Sequence, residues 1–162
     1  MKPLPHRYEV LLSGGATGYA ALSAAGLPNV ASAPPAEFGG PGDAWSPEQL
    51  LLAAVATCFA FTLRAVAQAS RVDFISLELT VEGVVDRREG RTCFSEIVLR
   101  PRLLVPAGTE RERALRVLEK AEKTCLVSAS LATPIGWSPR SRRNLELTLA
   151  RGCGARTGGA AH

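Results

Sequence analysis

From Leu50 to Leu63 the chain is almost wholly apolar, and this run restricts the fold more than any other feature. It follows a well-marked helix start. Ser46 supplies a capping hydroxyl, Pro47 suits the first turn, and Gln49 completes a Ser-x-x-Gln capping box. The spacing predicts a helix from the Ser46 cap to about Ser70. Because this helix is apolar nearly all round, with Ala53, Ala54, Ala56 and Ala60 permitting close approach, it belongs at the centre of a structure. A run that stops at Arg64 is short for a membrane span and reads as a buried helix. Pro3, Pro5 and His6 stand where a secretory signal needs an unbroken apolar core, so the expectation is a soluble, cytoplasmic protein.

Around this helix the chain alternates strand-like and turn-like segments. Tyr8–Leu12 and Tyr19–Leu22 flank the glycine-bearing turn Gly14-Gly15-Ala16-Thr17-Gly18, as a hairpin would. From Gly26 to Asp43 glycine and proline predict an irregular connection ending in Phe38-Gly39-Gly40-Pro41-Gly42. Beyond the helix, Leu77, Leu79 and Val81 alternate with polar residues in a strand over Ser76–Glu82. A turn at Asp86-Arg87-Arg88-Glu89-Gly90 leads to a second strand, about Thr92–Leu104, whose Pro101 points to an edge or bulge. Thr109 and Glu112 predict another capping box, opening a helix with the stripe Ala114, Val117, Leu118 and Ala121, continued by Cys125. After a turn through Pro134 and Pro139, Leu145, Leu147 and Leu149 mark a last strand. This order of elements, with hairpins between strands, predicts an α+β fold, one domain over 1–150 and a disordered Gly/Ala-rich tail over 151–162.

Charge and cysteine usage narrow the function classes. The net charge is +4, but Lys and Arg are scattered and only Arg140, Arg142 and Arg143 cluster, so no nucleic-acid partner is expected. The four cysteines contain no Cys-x-x-Cys pair, and His6 and His162 lie near the chain ends. Neither a metal nor another cofactor is expected. In a reducing compartment such cysteines are free or catalytic more often than bridged.

Helical steps from Glu48 through Leu51 and Val55 reach Cys58, which puts a carboxylate and a thiol on roughly one helix face, able to flank one pocket. By itself Cys58, among Leu, Ala and Val, reads as packing, because an apolar setting does not favour a thiolate. Glu48 by itself complements the positive end of the helix dipole. Cys125 reads as the last core residue of its helix. Cys93, on a strand, and Cys153, in the tail, read as packing and an incidental thiol.

Three linked segments change this balance. The run Glu37-Phe38-Gly39-Gly40-Pro41-Gly42, then Ser46-Pro47-Glu48-Gln49-Leu50-Leu51-Leu52-Ala53-Ala54 with Thr57-Cys58, resembles the first-helix signature of the OsmC/Ohr family. The run Ala121-Glu122-Lys123-Thr124-Cys125-Leu126-Val127-Ser128 resembles its second-cysteine segment, and the likeness extends over about Tyr8–Leu149. The resemblance implies an intertwined α+β homodimer with two long central helices, outer antiparallel sheets and sites at the subunit interface. It implies a thiol-dependent peroxidase in which Cys58 is the peroxidatic cysteine, Cys125 the resolving cysteine and Glu48 the acidic residue that organises the pocket. The implied partners are a hydroperoxide and a small thiol or dithiol reductant, and Leu and Phe lining such a site would suit an organic hydroperoxide better than hydrogen peroxide.

One departure stands out. Family members specialised for organic hydroperoxides carry a thiolate-stabilising arginine in the first hairpin loop, where this chain has Ala16 or Thr17. Arg7, Arg64 or an arginine of a second subunit are the alternatives for that charge. A small-ligand-binding or redox-sensing protein without efficient turnover is the competing expectation, and a purely structural or partner-binding dimer is a third.

Overall fold

The computed structural model describes residues 3–137 and 146–149. Arg140, Arg142, Arg143, Leu145, Cys153 and the expected tail over 151–162 lie outside the described residues. The chain divides into two compact units between Leu51 and Leu52, inside its first long helix.

In the first unit, β1 (Leu11–Gly14) and β2 (Ala20–Ser23) form the expected hairpin, although β1 starts three residues later than Tyr8. The segment expected to be irregular contains a third antiparallel strand, β3 (Val30–Ser32), paired with β2. Three residues carry no readable period; pairing with β2 makes them a strand. A 3-10 turn over Ala36–Phe38 then ends at Gly39 in the left-handed region, φ 77°. At the adjoining Gly40 a Cβ would lie 1.6 Å from the Pro34 carbonyl oxygen, so only glycine fits this fold-back. The Tyr19 hydroxyl donates to both carboxylate oxygens of Asp43, at 2.8 and 2.9 Å.

Helix α1 (Pro47–Ala69) begins as the sequence predicts. The Ser46 N–H donates to Gln49 Oε1 at 3.1 Å and the Gln49 N–H to Ser46 Oγ at 3.2 Å, a complete capping box. Its second end is closed by Arg71 in the left-handed region, φ 52°, with the Val72 N–H bonded to the Ala67 carbonyl at 2.9 Å.

The second unit carries β4 (Ser76–Arg88), β5 (Arg91–Val105), α2 (Arg111–Lys123), α3 (Leu126–Ala129), β6 (Ile135–Trp137) and β7 (Glu146–Leu149). The β4–β5 hairpin is longer than expected: both strands run on to the Arg88–Arg91 pair, and the turn shrinks to Glu89-Gly90. Strand β5 is central, antiparallel to β4 and parallel to both β6 and β7. Pro101 is therefore not on an edge strand, and the bulge falls at Val84/Val85 instead. Proline is accommodated because β6 pairs with β5 up to Leu99 and β7 only from Arg102, leaving Pro101 in the gap between them.

The core of this unit joins one stripe of α1 (Val55, Phe59, Leu63, Val66) to Leu99, Leu103 and Val105 of β5 and to Ala114, Val117, Leu118 and Ala121 of α2. Leu77, Leu79 and Val81 of β4 pack against it at the alternation the sequence showed. Each fully buried Phe or Leu contributes roughly 1.5–3 kcal/mol. By length and composition α1 passes for a membrane span, with mean hydropathy 2.0 over its most apolar stretch, but this stripe identifies it as a core helix. Its other side is not covered by the unit's own elements, and Phe61 there is 61% exposed.

Helix α2 departs from expectation at both ends. Its cap position is Glu110, without a side-chain bond, because Thr109 is engaged in a turn through its N–H to the Pro106 carbonyl at 3.2 Å. It stops at Lys123, so Cys125 does not extend the α2 stripe. Cys125 lies instead at the cap position of α3, fully buried in the same core. From α2, Arg113 donates to the Ser70 and Arg71 carbonyls at 2.9 and 3.1 Å, placing a cation at the negative end of α1.

Candidate functional site

Cys58 sits on the half-covered side of α1 and lines an open pocket of about 560 Å³ with Ala54, Thr57, Phe61, Thr62, Ala65 and Val127. Helical spacing explains the α1 members, since residues three and four apart share a face. Val127 comes from α3, and its N–H donates to Cys58 Sγ at 3.5 Å. The change of direction after α2 brings this about: α2 ends at Lys123 with Thr124 as its cap, Cys125 caps α3, and the first N–H groups of α3 have no partner within that helix.

The two thiols are electrostatically unlike. Burial pushes the Cys58 thiol up, but the Val127 N–H, the Cys125 thiol, the Thr62 hydroxyl and the Leu126 N–H together outweigh it and hold Cys58 below the ordinary thiol range. Burial pushes the Cys125 thiol up as well. There the Ser128 N–H, and a Ser128 hydroxyl buried short of good hydrogen-bond geometry, offset it only in part, and the neighbouring Cys58 adds to the rise. Cys58 is thus the sulfur that ionises first, with Cys125 beside it as a protonated donor.

Among the described residues, none that lines this pocket carries a charge. The Arg64 guanidinium lies over the Phe61 ring, 5.3 Å from its centroid, and so borders the pocket through an aromatic face rather than through sulfur. Ala16 and Thr17 are in the β1–β2 turn of the first unit.

Glu48 is in the first turn of α1, ten positions before Cys58, and lines a different cavity. That cavity, about 270 Å³, belongs to the first unit and includes Leu12, Ser32, Ala33 and Phe38. Glu48 Oε2 is buried there without a hydrogen-bond partner among the described residues. The structure therefore brings Cys58 and Cys125 together and puts Glu48 in a pocket of its own. Cys93 is exposed on β5. Sequence reasoning missed Thr62 and the α3 amides. Thr62 was within reach as the residue one helical turn beyond Cys58, whereas a backbone amide 69 residues away leaves no side-chain signature.

The family model described as OsmC-like protein matches residues 40–139, a span that contains both cysteines and Glu48. The chain belongs to the OsmC-like family. Uncharacterized protein YmaD of Bacillus subtilis is 30% identical over 100 residues, covering 60% of this chain and 67% of that protein. An OsmC-like protein of Vibrio cholerae has the same fold, with TM-score 0.76 at 14% identity over 83% of this chain and 99% of that one. An organic hydroperoxide resistance protein of Elizabethkingia anophelis aligns with TM-score 0.64 at 22% identity, over 92% of this chain and 98% of the other. The α+β architecture is thus the OsmC-like one.

Proposed function

We propose that this OsmC-like chain is a thiol-dependent peroxidase, with Cys58 as the peroxidatic sulfur and Cys125 as the resolving one. The observation that carries the reading is that α3, whose cap residue is Cys125, donates its Val127 N–H to the Cys58 sulfur at 3.5 Å, and that Cys58 packs against the core in which Cys125 is buried. The Cys58 thiolate attacks the outer oxygen of a hydroperoxide; the O–O bond breaks, the departing alkoxide takes a proton from water, and Cys58 becomes a sulfenic acid. The Cys125 thiol then displaces water from that sulfenic acid to form the Cys58–Cys125 disulfide. A dithiol, or two equivalents of a small thiol, returns both sulfurs by exchange and is itself oxidised. The chemistry uses no cofactor. The apolar pocket wall of Ala54, Phe61, Ala65 and Val127 suits an organic hydroperoxide, in keeping with the name of the Elizabethkingia relative.

In the same proposal residues 1–150 act as one domain of a cytoplasmic homodimer. Only 22% of the most apolar stretch of α1 is buried within the chain, and a second copy would cover the remainder. Glu48 acts as an organising acid for the pocket only in that assembly. A second reading, ligand binding or redox sensing without efficient turnover, draws on the uncharged lining of the Cys58 pocket among the described residues.

Paired serine substitutions test the assignment. Cys58→Ser abolishes peroxide consumption. Cys125→Ser allows the first attack and leaves a sulfenic acid that overoxidises, so turnover starts and dies. Mass spectrometry then finds the disulfide in the parent protein and sulfinic acid at Cys58 in Cys125→Ser. Parental turnover in both variants removes the peroxidase reading, and a single oxidation of Cys58 without repeated cycles favours the sensor.

A further inference from the structure

We propose that the cavity of the first unit is a binding site for a small organic cation, an alkylammonium or alkylguanidinium ion, held by the Glu48 carboxylate. The proposal goes beyond the thiol chemistry and depends on neither cysteine. Glu48 lines this cavity of about 270 Å³, and its Oε2 is buried without a hydrogen-bond partner among the described residues. A buried charge is costly until it is paired and hydrogen-bonded. The cap of α1 does not employ it, because Ser46 and Gln49 bond to one another there at 3.1 and 3.2 Å.

The surrounding sequence is poor in positive charge. From Tyr8 to Leu63 there is no Lys, Arg or His, and within the first unit Glu9, Glu37, Asp43 and Glu48 outnumber Lys2 and Arg7. Asp43 is satisfied by the Tyr19 hydroxyl, so among these acids it is Glu48 that combines burial with a bare oxygen. The cavity wall is also poor in donors. Pro34, Pro35 and Pro47 contribute no N–H to it. An occupant that carries both a positive charge and N–H groups satisfies the carboxylate in one step, through charge-assisted hydrogen bonds. The wall then selects among cations. A calcium ion takes about six to eight oxygen ligands, whereas Glu48 is the only carboxylate of this lining among the described residues. Leu12, Ala33 and Phe38 present carbon instead, which suits a short alkyl chain. Phe38 is 60% exposed and offers a ring face to the cation or its chain. The volume restricts the ligand to a small one, since drug-sized sites occupy roughly 300–1,000 Å³.

The test is calorimetric titration of the full-length protein with n-butylguanidinium, and with n-butylurea as a neutral probe of similar shape. Saturable binding of the guanidinium is expected, with the urea roughly tenfold weaker or more. That comparison requires no variant to fold. Glu48→Gln, checked for folding by circular dichroism, is expected to weaken guanidinium binding about tenfold or more, and Phe38→Ala, at an exposed position, to weaken it several-fold. Failure of the parent to bind n-butylguanidinium, equal binding of the urea, an unchanged affinity in a folded Glu48→Gln protein, or a preference for calcium or magnesium overturns the proposal. Sedimentation of the same samples supplies the remaining outcome: loss of a dimer in Glu48→Gln, with no uptake of guanidinium by the parent, assigns the carboxylate to a side chain of a second copy and overturns it as well. No arm uses peroxide, so the result is independent of the peroxidase reading.

Discussion

A thiol held below its ordinary pKa stays reactive to lower pH than a free cysteine, and one pushed up by burial becomes reactive only at higher pH. Cys58 and Cys125 are one of each, and they influence one another. A pH window is therefore expected in which iodoacetamide modifies Cys58 and leaves Cys125 untouched, and peptide mass spectrometry over a pH series checks it. Equal modification at every pH would show that the two thiols are not differentiated. The linkage to folding has opposite signs. Ionisation of Cys58 favours the folded chain above the ordinary thiol range, and that contribution is lost as pH falls through its lowered pKa. The contribution of Cys125 is present below the ordinary range and lost as pH rises. Neither residue advertised this in the sequence. Both cysteines were findable, but their difference arises from α3 amides and from burial under α2, and these exist only once the chain has turned after Lys123.

At the scale of elements, what was legible was what is local. The Ser46–Gln49 box spans four residues and formed as read, as did the α2 stripe and the β4 alternation. Strands β3 and β6 are three residues each and take their identity from partners distant in the chain, so no periodicity could announce them. Their small size does not make them loose. The Trp137 indole N–H donates to Glu122 at 2.5 Å and its ring meets Phe59 edge-on with centroids 6.0 Å apart, tying β6 to α2 and α1. Turn geometry was legible only in part. Glu89 and Gly90 have φ of 51° and 80°, the pattern of a type I′ hairpin turn, in which glutamate is a poor first residue. Glu89→Asn is expected to stabilise the protein by about 0.5–1 kcal/mol, raising the melting temperature by roughly 1–4 °C. Denaturant titration checks this, and a loss of stability would mean that the turn is held by its flanking pairs alone.

For the whole molecule, the uncovered side of α1 makes association the decisive quantity. Sedimentation at micromolar concentration is expected to show a dimer, and a folded monomer would count against the proposed assembly and against a role for Glu48 at the Cys58 pocket. The placement of Cys125 at the head of α3 has one more outcome for the molecule as a unit. A bond between Cys58 and Cys125 would tether points about 67 residues apart and shrink the conformational freedom of the unfolded chain, by up to about 4 kcal/mol in the loop-entropy account. The diamide-oxidised protein should then melt several degrees above its dithiol-reduced form, and Cys125→Ser should erase the gap. Oxidant exposure would leave this protein harder to unfold, so that its heat resistance serves as a thermometer of its own oxidation state.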